Sequence, residues 1–190
     1  MKIGLFFGSF NPIHIGHMAI AKYMTEHTDL NQVWFVVTPQ SPFKKQKSLL
    51  GQHHRLMMTR IATEDCTNII ASNIEFDLPK PSFTINTLTY LNEKYASYNF
   101  NLIMGQDNLS TLHKWKNFNL ILSNYKIYVY PRSNNKKSKL ENHKQINFTK
   151  APIIDISSSL IRNSIKKGKN VSSFLPKDVW TYIDEKNFYK

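Results

Sequence analysis

The sequence predicts an α/β fold: a parallel sheet with helices on both faces and a small helical segment on the C-terminal side. Three observations carry this. Uninterrupted apolar runs at 3–7, 33–37 and 100–104 have the composition of strands buried on both faces. Between them, apolar residues return at helical spacing over longer stretches. The connections are short, and alternating strand–helix units with short connections close into parallel sheets.

The elements follow in order. Ile3 to Phe7 is a strand closed by Gly8, and a helix then runs from His14 to about His27 on Ile15, Met18, Ala19, Ala21, Tyr23 and Met24. Val33 to Val37, β-branched and aromatic, is the second strand. After a loop, Gln52 to Asp65 reads as a helix with Leu56, Met57, Ile61 and Ala62 on its apolar side. Ile69 to Ala71 and Ile74 to Phe76 read as short strands before Pro79 and Pro81 interrupt the chain. A helix over Ile85 to Tyr95 leads to the strand Phe100 to Met104, which stops at Gly105. Two short helices flank Trp115, and Lys126 to Tyr130 is a strand stopped by Pro131. Ser133 to Lys144, polar and lysine-rich, is expected to form a mobile surface loop. Ile153 to Asp155 reads as the last strand, Ser157 caps a helix to about Lys167, and a final helix spans Lys177 to Glu185. In such sheets ligands bind beyond the carboxyl ends of the strands, where strand order reverses. The loops after Phe7, Val37, Met104 and Asp155 are therefore expected to gather around one site.

Composition narrows the function. With 190 residues, 41% hydrophobic and 13% aromatic, the chain can bury a core, and residues 1–190 read as a single domain whose 156–190 part is helical. No apolar run reaches the ~18 to 20 residues of a membrane-spanning helix, and the run at 3–7 falls short of the ~7 to 15 residues of a signal h-region. Cys66 is the only cysteine, so neither an intrachain disulfide nor a cysteine-based zinc site is available. A cytoplasmic location is the expectation. The 25 Lys and Arg against 13 Asp and Glu give a net charge of +12, which points to a phosphate-rich partner. A dedicated nucleic-acid binder would carry the same sign. The basic residues, however, fall in three short clusters at 44–47, 136–139 and 166–169, without a helical stripe, zinc-finger spacing or stacking-aromatic motif. Neither nucleic acid nor membrane is expected as a partner.

Two stretches carry chemistry. Gly8-Ser9-Phe10-Asn11-Pro12-Ile13-His14-Ile15-Gly16-His17 joins the first strand to the first helix. Gly8 permits a sharp turn, Asn11 can cap, and Pro12 stiffens the segment. The helix N-terminus that results offers free N–H groups and partial positive charge, an anion site before any side chain is added. His14 and His17, three residues apart, share one face of the first turn. Taken alone, the pair also suits histidines packed in a core. A zinc pair would need further ligands, and no metal site is expected. The stretch is neither a Walker loop nor a Gly-x-Gly-x-x-Gly turn. Further on, Ser157, Ser158 and Ser159 stand at a helix start with Arg162 one turn later. Hydroxyls, terminal amides and a guanidinium together suit a triphosphate, although a serine cap followed by an exposed Arg is also ordinary helix punctuation.

These two stretches resemble the signatures of the nucleotidyltransferase superfamily known by its His-Ile-Gly-His tetrapeptide and a later Ser-Ser-Thr-x-x-Arg motif. Pro81-Ser82-Phe83-Thr84-Ile85-Asn86-Thr87-Leu88, Gly105-Gln106-Asp107, and Trp115 eight residues beyond Asp107 are similar to its nicotinate-mononucleotide adenylyltransferase branch. The resemblance spans essentially the whole chain. Asn11 stands where that branch usually has Asp, Ser159 where it has Thr, and Lys44 where it has His. Asn11 keeps capping ability, Ser159 keeps the hydroxyl, and Lys44 substitutes a permanent charge for a titratable one. His14 and Trp115 separate the sequence from phosphopantetheine adenylyltransferases, and the segments around Thr84 and Asp107 separate it from glycerol-phosphate cytidylyltransferases. Class I aminoacyl-tRNA synthetases share the tetrapeptide but carry a Lys-Met-Ser-Lys-Ser type signature that is missing here.

The resemblance implies a Rossmann-like fold and the transfer of AMP from ATP to nicotinate mononucleotide, giving nicotinate adenine dinucleotide and pyrophosphate. It implies that His14 and His17 are catalytic and contact the ATP phosphates, with His17 the main transition-state partner. Gly8, Ser9, Phe10, Lys44, Asp107, Ser158, Ser159 and Arg162 are the implied ATP-binding residues, Asp107 acting on ribose hydroxyls. Thr84, Trp115 and the backbone of Lys116 are the implied acceptor-binding residues, Trp115 by stacking on the pyridine ring. Mg²⁺ is expected with ATP, held by few protein carboxylates. By position alone, Asp107 also suits a helix cap and Trp115 a core residue.

Overall fold

The computed structural model describes residues 1–42, 49–133 and 137–190. Six strands, β1 (Lys2–Gly8), β2 (Gln32–Val37), β3 (Ile69–Ser72), β4 (Asn99–Gly105), β5 (Ile127–Tyr130) and β6 (Ile146–Phe148), form one sheet in the order β3-β2-β1-β4-β5-β6. Every neighbouring pair is parallel. The helices are α1 (Ile15–His27), α2 (Gln52–Thr63), α3 (Thr84–Lys94), α4 (Gln106–Leu109), α5 (Phe118–Asn124), α6 (Ser158–Lys166) and α7 (Lys177–Glu185). None among the described residues is long and apolar enough to cross a membrane.

Strand residues alternate between two cores because side chains alternate across a strand. Phe6, Val33, Phe35, Val37, Ile103, Tyr128 and Tyr130 face one core with Ile20 and Met24 of α1, Leu56 of α2, Ile161 of α6 and Val179 of α7. Ile3, Leu5, Trp34, Val36, Leu102, Met104, Ile127 and Val129 face the other, with Leu88 and Leu91 of α3 and Ile121 of α5. Helices thus cover both faces, which is why the strands read as continuous apolar runs. Strand order reverses between β1 and β4. That geometry opens a crevice at the carboxyl ends of these two strands.

The structure corrects several expectations. The last strand among the described residues is Ile146–Phe148, not 153–155, where the chain is irregular and Ile153 is exposed. Edge strand β6 pairs only with β5, so it shows neither a buried run nor clean alternation. Residues 74–76 form a turn, in which the Phe76 N–H donates to the Asn73 carbonyl at 2.8 Å and Glu75, not an apolar residue, is buried. On α2, Met57 is exposed, while Arg55, Thr59 and Thr63 are buried at i, i+4 and i+8. The expected mobile loop at 133–144 is partly anchored among its described residues. There Ser138 donates its hydroxyl to the Leu109 carbonyl at 3.2 Å, and Leu140 packs on the second core.

Candidate active site

The turn after β1 is built around a close approach. A Cβ at Gly8 would lie 2.7 Å from the Phe10 ring, so only glycine lets that ring fold back beneath the strand end. Phe10 itself has φ 45°, an unusual conformation for a bulky residue, and is held there by edge-on contacts to Phe35 and His17 with ring centroids 5.1 Å away in each case. Asn11 does not cap α1. Its buried Oδ1 accepts instead from the Leu50 N–H at 3.2 Å and from the Tyr189 hydroxyl at 2.8 Å. The N-cap residue is His14.

His14 and His17 lie face to face, ring centroids 3.7 Å apart, and the His14 N–H donates to His17 Nδ1 at 3.3 Å. His14 is buried, and its Nδ1 has no hydrogen-bond partner among the described residues. Burial, aided by the positive charge of Arg132, holds its pKa down to about 3. It is therefore neutral at physiological pH.

The serine-rich helix start docks onto this turn. Ser157 caps α6 by accepting from the Leu160 N–H at 3.1 Å. Ser158 donates its hydroxyl to the Pro12 carbonyl at 2.8 Å. Arg162 donates to the Asn11 carbonyl at 2.8 Å and to Ser159 Oγ at 3.3 Å. Two helix N-termini, those of α1 and α6, therefore converge on one cavity of about 540 Å³, lined among others by Gly8, Ser9, His14, His17, Asp107 and Arg162. A second cavity of about 370 Å³ holds Thr84, Trp115, Lys116, Phe83 and Glu75. Phe7, Gly8, Ser9 and Asn108 line both, so the two cavities meet over the end of β1.

The other expected residues fall around these cavities. Asp107 is the second residue of α4 and not its cap, which is Gly105. Its carboxylate pairs with Arg132 at 3.8 Å across the crevice. Thr84 opens α3, and the Lys116 ammonium lies 4.7 Å from the centre of the Phe83 ring. Trp115 is half-buried at the second cavity's wall, with an edge toward the core. Lys44 lies outside the described residues. The loops after β1, β2 and β4 do gather here, with Thr38 and Asp107 among the lining residues. The residues after Asp155 gather here as well, Ile156 to Ser159 lining the larger cavity although no strand directly precedes them, and Arg132 after β5 joins them.

Sequence reasoning missed three residues. Arg132 stands at the carboxyl end of β5 and lines the larger cavity, a position that Pro131 had marked only as a strand stop. Arg55, buried, donates to the backbone carbonyls of Ser9, Thr38, Pro39 and Leu50. Its signal was an arginine followed by threonines at i+4 and i+8, a stripe of one polar and two small hydroxyl side chains along α2. Glu75 was masked by its apolar neighbours Ile74 and Phe76.

The family model for cytidylyltransferase-like proteins matches residues 5–164. A "probable nicotinate-nucleotide adenylyltransferase" from Flavobacterium johnsoniae is 55% identical over the whole of both chains. One from Flavobacterium psychrophilum is also 55% identical over the whole of both. The chain belongs to the cytidylyltransferase-like family, among its nicotinate-nucleotide adenylyltransferases. The fold is also that of Plasmodium falciparum nicotinic acid mononucleotide adenylyltransferase complexed with NaAD. That likeness has a TM-score of 0.85 at 20% identity, over 99% of this chain and 97% of the other.

Proposed function

We propose that the two joined cavities hold the two substrates of an adenylyl transfer, ATP in the larger and nicotinate mononucleotide in the smaller, with the transfer taking place over the end of β1. The observation that carries this is the junction itself. A polar cavity between two helix N-termini meets a cavity with aromatic walls at Gly8 and Ser9, next to His14 and His17.

The 5′-phosphate of the mononucleotide attacks the α-phosphorus of ATP in line. The bond from that phosphorus to the bridging oxygen of the β-phosphate breaks, pyrophosphate leaves, and nicotinate adenine dinucleotide remains. The nucleophile is already an anion, so no general base is required. Catalysis lies in overcoming the repulsion of two anions and in stabilising the charge that moves onto the leaving oxygens. His17 supplies a preorganised donor at the helix start, and His14, neutral and desolvated, gains its proton most readily beside the triphosphate. Ser158, Ser159 and Arg162 hold the β- and γ-phosphates, with Gly8, Ser9 and Phe10 shaping the backbone of the turn, Lys44 adding charge and Asp107 taking the ribose hydroxyls. Thr84 and the Lys116 backbone bind the acceptor carboxylate and Trp115 stacks on its ring.

Mg²⁺ bound with ATP would supply positive charge that offsets the repulsion between the phosphates. In this reading residues 1–190 act as one nucleotidyltransferase domain, with 156–190 its helical part, in the cytoplasm, and neither nucleic acid nor membrane takes part. The test is pyrophosphate release from ATP with nicotinate mononucleotide, nicotinamide mononucleotide, phosphopantetheine or no acceptor. Release with nicotinate mononucleotide alone or in preference is expected. Release with phosphopantetheine only would overturn the assignment.

A further inference from the structure

Glu75 is buried to 1% exposure in the wall of the smaller cavity, yet no step above uses it. One carboxyl oxygen, Oε1, accepts from the Thr87 hydroxyl of α3 at 2.7 Å. The other, Oε2, is buried without a hydrogen-bond partner among the described residues, and so is the neighbouring Ser82 Oγ. A buried carboxyl with one unsatisfied oxygen is costly unless a ligand completes it. The chain places this one between the turn after β3 and the first turn of α3, in the same cavity as Thr84, Trp115 and Lys116.

We propose that the Glu75 carboxyl chooses between acceptors that carry a carboxylate and those that carry a carboxamide on the pyridine ring. Neutral, it donates from Oε2 to a carboxylate oxygen. Ionised, it repels the carboxylate and accepts instead from a carboxamide N–H. Burial pushes the Glu75 carboxyl above the usual carboxylate range, against the weaker pull of the Thr87 hydroxyl on Oε1. A carboxylic acid kept neutral by its surroundings can serve as a hydrogen-bond donor in this way. The other charged groups lining the cavity among the described residues are Lys114 and Lys116, both exposed, on the segment before α5. Their positive charge attracts the carboxylate, a preference on which Glu75 imposes a pH-dependent one. The positive pyridinium is common to both acceptors, so its attraction to an ionised Glu75 cancels in their ratio.

This inference rests on the adenylyltransferase reading, and the experiment separates the two. kcat/KM is measured for nicotinate mononucleotide and for nicotinamide mononucleotide from pH 6 to pH 9, in the wild type and in Glu75→Gln. In the wild type the acid-to-amide ratio should fall by roughly tenfold across that range, the size of one unfavourable charge contact in a desolvated site. In Glu75→Gln, neutral throughout, the ratio should be flat. Pyrophosphate release with a flat wild-type ratio, or with the same slope in both proteins, overturns the role of Glu75 alone. No release from either acceptor overturns both readings. Should Glu75→Gln fail to fold, Thr87→Val replaces it: losing the hydroxyl on Oε1 should move the fall of the ratio to higher pH, and an unmoved fall overturns the role of Glu75.

Discussion

Arg55 Nη1 lies 2.6 Å from the Ser9 carbonyl oxygen and donates to the Thr38 carbonyl as well, at 2.8 Å, so one buried guanidinium ties the loop after β1 to the loop after β2. Burial works against its charge, and backbone carbonyls rather than a carboxylate receive its hydrogens. It thereby fixes the backbone of Ser9, where the two cavities meet. Arg55→Met should cost roughly 3 kcal/mol or more of stability, because several carbonyls lose charge-assisted donors together. Arg55→Lys should recover little, since one ammonium cannot reproduce the planar fork. Urea midpoints of the three proteins check this, and near-equal midpoints for Arg and Lys would remove the fork argument.

His14 gives the stability a pH dependence of known sign. Its folded pKa, about 3, lies below the usual value of 6.5, so between these limits the unfolded chain binds a proton that the folded chain refuses. The contribution is complete above about pH 6.5 and is lost as pH falls toward 3, with an upper size on the order of 5 kcal/mol. The melting temperature of the ligand-free protein should drop between pH 6.5 and pH 4, and His14→Asn should show a shallower drop. Parallel curves would show that other groups control the acid limb.

His17 borders the same cavity but remains half-exposed. If it steadies the charge leaving with pyrophosphate, His17→Ala should lower kcat by roughly 10²- to 10³-fold while the melting temperature stays close to that of the parent. Unchanged turnover would take His17 out of the mechanism. Loss of the fold would instead make it a packing residue against Phe6 and Phe10, whose rings it meets edge-on.

Trp115→Ala should raise the KM for nicotinate mononucleotide by roughly 5- to 150-fold, the equivalent of about 1 to 3 kcal/mol of stacking, and leave the KM for ATP nearly unchanged. Trp115→Phe should restore part of the loss. A buried core Trp would behave differently, with about 3 to 5 kcal/mol of lost stability and both substrates affected alike. Both KM values and the melting temperatures of the two variants distinguish the cases.

What lies within a few residues along the chain was determined by the sequence alone. The runs at 3–7, 33–37 and 100–104, short and closed by turn residues, read as strands buried on two faces, and the strand-to-helix turn holding His14 and His17 is a local arrangement of ten residues. The Ser157 cap is equally local. The tertiary structure decided everything that depends on a distant neighbour. Ile146–Phe148 is a strand because it pairs with the edge of β5, a partner that no local pattern names, whereas 153–155 is not part of the sheet. Arg55 turned inward because carbonyls from two loops await it, and Arg132 faces the cavity because β5 ends beside Asp107. Glu75 follows the same logic: its burial comes from α3 packing over the turn after β3, where Thr87 supplies its hydroxyl. Hydrophobic patterning reports which faces avoid water, but the partners that a buried polar side chain does find come from elsewhere in the chain, and no local pattern encodes them.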